Sequence, residues 1–147
     1  MKLVKPAVIL LLLTLCSSCS VFTIGPSAAS QSLYLAIGQQ PVLEKIVDNL
    51  ITIIGQDDVV FDHFAESNVS HFRKKLTIFL CHITDGPCQY TGDTMQDIHR
   101  GMQISANQFN HFVELFIEAM NISDIKYPLQ NKLLARLAPL RKNIIKI

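Results

Sequence analysis

Gly86-Pro87-Cys88-Gln89-Tyr90-Thr91-Gly92-Asp93-Thr94-Met95-Gln96-Asp97-Ile98-His99 is the stretch around which the chain is organised. Its first half is turn chemistry. Pro87 fixes φ, and Gly86 and Gly92 are expected to take backbone angles that other residues resist. Its second half reads as a short helix opened by Thr94, with Asp97 three residues on as a weak capping-box partner. Met95, Ile98, His99 and Met102 recur at spacings of three and four, so they share one helical face. A histidine therefore stands in an otherwise apolar stripe.

Two readings of His99 follow. A core histidine would satisfy its ring nitrogens with hydrogen bonds. An axial haem ligand would offer a neutral imidazole nitrogen, held rigidly in an apolar cavity. Periodicity leaves both open.

The stretch resembles the signature of group I truncated haemoglobins, on its glycine-proline turn, Tyr90-Thr91-Gly92, Met95 and His99. The similarity runs without a gap from about Leu33 to about Ile145. It implies an all-α truncated globin, a two-over-two helical sandwich around haem b with a much reduced proximal helix. His99 matches the proximal ligand to iron, and Met95 lies one turn before it. Phe64 matches a phenylalanine that packs on the haem face, although any phenylalanine here also reads as plain core. Within Arg73-Lys74-Lys75, which otherwise reads as a solvated face, Lys75 is the leading partner for a haem propionate.

The distal positions depart from the family. Ile51 stands where the family usually carries a tyrosine that donates a hydrogen bond to bound oxygen. The next distal positions are Phe72 and Leu76, the latter often glutamine in the family. None of the three can donate. A donor in a dry pocket stabilises polar bound dioxygen by about 1–3 kcal/mol. Fast loss of oxygen is therefore expected, with carbon monoxide less affected. A donor from Lys75 or a water remains open. The family's paired glycines are altered too, to Gly38-Gln39 and Asp85-Gly86.

Outward from this stretch, the other helices are legible. Leu33 to Gly38 reads as a short helix ending at glycine. A second starts from Pro41, with Val42, Leu43, Ile46, Val47, Leu50, Ile51 and Ile54 at a period near 3.6, and stops at Gly55 and Asp57-Asp58. Val59 to Phe64 is a short apolar connection. Asn68 or Ser70 caps the next helix, with Val69, Phe72, Leu76, Phe79, Leu80 and Ile83 on one face. Ser105 and Gln108 form a capping box before Phe109, Phe112, Val113, Phe116, Ile117 and Met120. The last helix runs from about Tyr127, and Pro139 should end or kink it.

Of the 147 residues, 49% are hydrophobic and 17% charged, which suits one domain able to bury a core and most of a flat cofactor. A formal net charge of +1 gives no electrostatic case for nucleic acid. Residues 1–19 read as a lipoprotein-type signal peptide. Lys2 and Lys5 precede the apolar run Ala7 to Leu15, which is too short to span a bilayer. Cys16-Ser17-Ser18-Cys19 resembles a bacterial lipobox, imperfectly because Cys16 replaces the preferred leucine. Lipidation at Cys19 would anchor the protein to a membrane on the periplasmic side. A soluble secreted form is the alternative. Residues 20–31 would be a flexible tether, and residues 32–147 the globin domain.

Cys81 and Cys88 flank the Asp85-Gly86-Pro87 turn, so a short-loop disulfide and two free thiols are both open. His63, His71, His82 and His111 read as surface or helix-end residues, and none falls at Phe72 or Leu76. The sequence carries no zinc spacing, phosphate loop or nucleophile elbow. The expected function is a haem protein that binds diatomic gases (oxygen, carbon monoxide, nitric oxide), served by an unidentified reductase. Nitric oxide detoxification ranks below simple binding, because that chemistry needs a stable oxygen complex. The alternative classes are a cofactor-free helical lipoprotein acting through protein contacts and a haem sensor or carrier.

Overall fold

The computed structural model describes residues 32–147. The expected signal peptide, Cys19 and the tether lie outside the described residues.

Six α-helices make up the described chain, with no strand among the described residues. Helix α1 is Leu33–Ile37. The Ser32 side chain caps it by accepting from the Leu35 N–H at 3.3 Å, and Gly38 ends it at φ 116°. Helix α2, Gln39–Ile54, begins two residues before Pro41, which sits in its first turn. Its buried residues are Leu43, Ile46, Val47, Leu50 and Ile54, the three-and-four spacing of a helix buried along one broad face. That face is the centre of the molecule. Helix α3, Val69–Ile83, packs on one side of it, and α5, Ala106–Ile122, on the other. Leu80, Phe116, Ala119, Met120 and Leu133 are among the other buried residues of the core.

Polar groups fasten these helices where apolar packing ends. Arg73 of α3 grips Asp48 of α2 through two parallel bonds, Nε–Oδ1 at 2.5 Å and Nη2–Oδ2 at 2.8 Å. This guanidinium holds the Asp48 carboxyl below the usual carboxylate range. Across the other seam, Asn49 Nδ2 donates to Ser123 Oγ at 2.9 Å. Thus Arg73, expected on a solvated face, is a fastener between helices.

The capping expectations are met at three starts. Asn68 accepts from His71 N–H, and Thr94 from Asp97 N–H. Ser105 and Gln108 form the full reciprocal box. Helix α4 is only Met95–His99, and α6 is Tyr127–Leu137. Pro139 tightens the chain after α6 into a 3-10 turn, Ala138–Asn143. The connection Val59 to Phe64 contains another, Phe61–His63, whose entry is held by Asp57 Oδ1 accepting from Val59 N–H and Val60 N–H at 3.0 and 2.9 Å. No described helix is long and apolar enough to cross a membrane.

The glycines of the opening stretch work differently from expectation. Neither Gly86 nor Gly92 has positive φ; the left-handed residue of that turn is Asp85, at φ 62°. Space is the constraint instead. A Cβ on Gly86 would lie 2.7 Å from the Cys81 carbonyl oxygen, the Cys81 sulfur and the Tyr34 ring. A Cβ on Gly92 would lie 2.6 Å from the Tyr90 ring and hydroxyl.

Candidate functional site

Helix α4 carries His99, and the local backbone sets the state of its ring. Nδ1 lies 2.7 Å from the Met95 carbonyl oxygen, one turn back. A carbonyl oxygen only accepts, so Nδ1 carries the proton and the lone pair is left on Nε2. This is the arrangement by which a backbone carbonyl fixes the tautomer and direction of a metal-ligating histidine. The core reading would have both nitrogens satisfied. Only Nδ1 has a protein partner among the described residues.

The segment before α4 explains the Tyr90-Thr91-Gly92 pattern. The Tyr90 ring folds over Gly92, meets Phe79 of α3 edge-on at 5.2 Å, and donates its hydroxyl to the Asp93 carbonyl at 3.0 Å. Only glycine at position 92 lets that ring lie so close. Cys81 and Cys88 form a disulfide with Cα atoms 5.8 Å apart, tying the end of α3 to the same segment. On the far side, the C-terminus clasps the residues after α4. Gly101 N–H donates to the main-chain oxygen of Ile147 at 2.8 Å, and Lys146 N–H donates to the Ile104 carbonyl at 3.1 Å. Sequence reasoning missed this clasp, because backbone pairing between distant irregular segments leaves no periodic trace.

The expected distal residues come from α2, from α3 and from the turn between them. Ile51, Phe64, Phe72 and Leu76 are all half-buried and packed against the core. Phe64 meets Phe72 edge-on at 5.2 Å and stacks near-parallel on Phe112 of α5 at 6.1 Å. Phe112 was legible as a helix-stripe residue, but its partnership with Phe64 was not. Met95 and His99 are half-buried as well. Large apolar groups that are neither in the core nor on the surface suit a flat apolar partner laid against them. Lys75 is exposed and makes no ion pair among the described residues.

The remaining histidines divide. His71 and His82 are exposed, as expected. His111 is half-buried, with Nε2 2.6 Å from Asp57 Oδ2, and so locks α5 to the turn that carries Phe64. The hydrogen bond to Asp57 raises the His111 pKa above its ordinary value, and the same bond lowers that of Asp57. His63 Nε2 is shut off from solvent with no hydrogen-bond partner, the only such side-chain nitrogen or oxygen among the described residues.

Comparison with known proteins bears on this geometry. Residues 32–146 match the family described as bacterial-like globin. The group 1 truncated hemoglobin GlbN of a Nostoc species is 33% identical over 94 residues, 64% of this chain and 80% of that protein. Its namesake from Mycolicibacterium paratuberculosis is 26% identical over 117 residues, 80% of this chain and 86% of that protein. The truncated hemoglobin of Tetrahymena pyriformis in its Fe(III) form superposes with a TM-score of 0.76 at 21% identity, covering 80% of this chain and all of that one (100%). The 2/2 hemoglobin of a Synechococcus species, in the cyanomet state with covalently attached heme, superposes with a TM-score of 0.74 at 14% identity, covering 78% and 98%. The two-over-two helical sandwich implied by the resemblance is therefore the fold. With the profile spanning nearly every described residue, the chain belongs to the bacterial-like globin family, as a truncated globin.

Proposed function

We propose that this truncated globin binds haem b through His99 and holds diatomic gases reversibly in an apolar distal pocket. The observation that carries the reading is the His99 ring: its Nδ1 proton is committed to the Met95 carbonyl, and its Nε2 lone pair is free. Bound haem would supply an iron with an open coordination position for the gas. The chain's own residues do the rest. Phe64, Phe72, Leu76, Ile51 and Met95 offer half-buried apolar area to the flat ring and exclude water. Lys75, exposed and without an ion pair among the described residues, would pair with a propionate. Ile51, Phe72 and Leu76 donate no hydrogen bond, so oxygen retention is weak and carbon monoxide is held comparatively well. Nitric oxide detoxification with bound oxygen is disfavoured by the same pocket.

Export to an oxidising, extracytoplasmic compartment is part of the proposal. The Cys81–Cys88 disulfide supports it, because such bonds persist outside the reducing cytosol. Anchoring through Cys19 rests on the sequence pattern alone. Mass analysis of the mature N-terminus tests it: an acylated Cys19 upholds the anchor, and a free N-terminus overturns it.

The first experiment is haem titration of the purified chain beside His99→Ala. A one-to-one complex with a sharp Soret band, lost or displaced in the variant, is the expected result. Equal and poor uptake by both proteins would leave the fold as a scaffold for protein contacts.

A further inference from the structure

Resting on that reading, the hold on His99 includes one fastening that chemistry can undo. Residues 87–93 lead from the corner after α3 to α4. They make no backbone–backbone hydrogen bond among the described residues. Their specific ties to α3 are the Cys81–Cys88 bond, the Tyr90 ring on Phe79 at 5.2 Å, and His82, whose Nδ1 lies 3.3 Å from the Cys88 carbonyl oxygen. Only the first is covalent.

The α3 side of that bond is anchored independently. Tyr34 N–H of α1 donates to the Thr84 carbonyl at 2.7 Å, and Gly86 N–H donates to the Cys81 carbonyl at 2.8 Å. Arg136 of α6 donates to Asp85 Oδ2 at 2.6 Å. Opening the bond therefore leaves residues 81–86 in place and frees residues 87–93. Helix α4 follows directly and has no buried residue of its own to resist. The two sulfurs also differ in access. Cys81 is 0% exposed, while Cys88 is half-buried in a segment without regular structure. An external thiolate reaches Cys88, and Cys81 leaves as a small apolar side chain of the core. Cys81 stays only seven residues away, so it re-attacks a mixed disulfide at Cys88 and expels a monothiol. A dithiol, whose second sulfur resolves the mixed disulfide, completes the reaction.

We infer that Cys81–Cys88 is a thiol–disulfide exchange site for a protein dithiol, and that the closed bond is the state in which His99 retains haem. One thiolate of the dithiol attacks Cys88 Sγ. The sulfur–sulfur bond breaks, and its electron pair goes to Cys81 Sγ, which takes up a proton. The second sulfur of the dithiol then attacks the mixed disulfide and releases Cys88, which takes up the second proton. Both cysteines are reduced to thiols, and the dithiol is oxidised to its disulfide; the reverse sequence closes the bond. The open form keeps the helical core and slackens the chain from residue 87 to His99. Haem is thus held in an oxidising compartment and released in a reducing one.

The test treats the full chain and the Cys81→Ser/Cys88→Ser double variant with dithiothreitol, or with glutathione at equal thiol concentration, without denaturant. The reagent is then removed. Peptide masses after alkylation count the thiols at positions 81 and 88. Dithiothreitol should open the wild type, and glutathione should leave it closed. In the haem-free protein, the Asp97 and Ile98 amides, both bonded to Thr94, should exchange about tenfold faster once the bond is open, a part of the constraint such a bond imposes. Amides of α2 should stay protected, and the helical circular dichroism should be kept. Haem transfer from the loaded protein should accelerate by a similar factor, and reoxidation should restore both rates. The double variant should behave as the open form with or without reagent, which excludes direct action of the reagent on iron. A bond that stays closed to dithiothreitol, or opens equally to glutathione, overturns the inference. So does an open form whose amide exchange and haem loss match those of the closed form. Loss of helix content on opening makes the bond a staple of the whole fold and overturns it equally. A wild type that takes up no haem defeats the haem reading itself; amide exchange then decides alone whether the bond holds α4.

Discussion

Helix α3 and helix α4 both carry residues proposed to line the haem site, and they are held by different physics. Helix α3 has Thr77, Leu80 and Cys81 buried, aromatic contacts at Phe72 and Phe79, and Arg73 clamped to α2. Helix α4 has no buried residue, and Ile98 on its apolar stripe is 45% exposed. Its position is set by its neighbours: the Thr94 cap, Tyr90 against Phe79, the Cys81–Cys88 bond and the C-terminal clasp. The placement of Phe72 and Leu76 is thus a by-product of the core. The helix that carries His99 is suspended from loops, and its half-covered amphipathic face suits the cofactor proposed to cover it. Five residues are far below the length at which a helix holds itself together in water, so tertiary fastening must supply the difference.

The largest break of this comparison is on the core side. Leu80 is 1% exposed, and Leu80→Ala should destabilise the whole domain by about 2–5 kcal/mol in denaturant melts. Ile98→Ala on α4 should stay within about 0.5 kcal/mol of wild type, the size expected for exposed sites. An Ile98→Ala loss as large as that of Leu80→Ala would show α4 to be part of the core after all.

Next in size is the disulfide. Cys81→Ser with Cys88→Ser should cost about 2–3 kcal/mol by the loop-entropy account for a closure of seven residues. It should also raise the rate of haem loss more than its effect on global stability requires, because the freed segment leads to His99. Haem-transfer kinetics beside denaturant melts separate the two effects.

Thr94→Ala sharpens the comparison further. Removing the cap from Asp97 N–H should weaken α4 by about 1 kcal/mol. Haem-free stability should change little, while the Soret band should broaden or shift. Asn68→Ala, the matching change on α3, should lower global stability and leave the spectrum alone.

The smallest effect concerns pH. His111 has its folded pKa raised by the hydrogen bond to Asp57, so its contribution is complete below about 6.5 and is lost as pH rises through the folded value. Asp57 has its folded pKa lowered by the same bond, so its contribution is complete above about 4 and is lost as pH falls through the folded value. The pair therefore stabilises most between about pH 4 and 6.5. Tm should fall modestly from pH 6 to pH 8, and His111→Gln should remove that part of the slope. An unchanged slope would remove His111 from the fastening of the turn that carries Phe64.

Local rules wrote much of the molecule into the sequence. The three-and-four spacing of Leu43, Ile46, Val47 and Leu50 specified α2, and Asn68, Thr94 and Ser105 marked helix starts. The residues from Gly86 to His99 carried the family resemblance, because turn, cap and His99 lie within one short segment. Tertiary structure alone decided what depends on long-range approach. Gly86 and Gly92 are there for the space beside Cys81 and Tyr90, not for a special φ. Arg73 and His111 became fasteners because Asp48 and Asp57 lie on other elements. Cys81 and Cys88 became a bond, the C-terminus became a clasp for the residues after α4, and His63 was left with a buried nitrogen and no partner. Periodicity and capping act within a turn or two of chain and can be read there. Contacts between distant segments depend on how helices stack, and no single stretch of sequence encodes that.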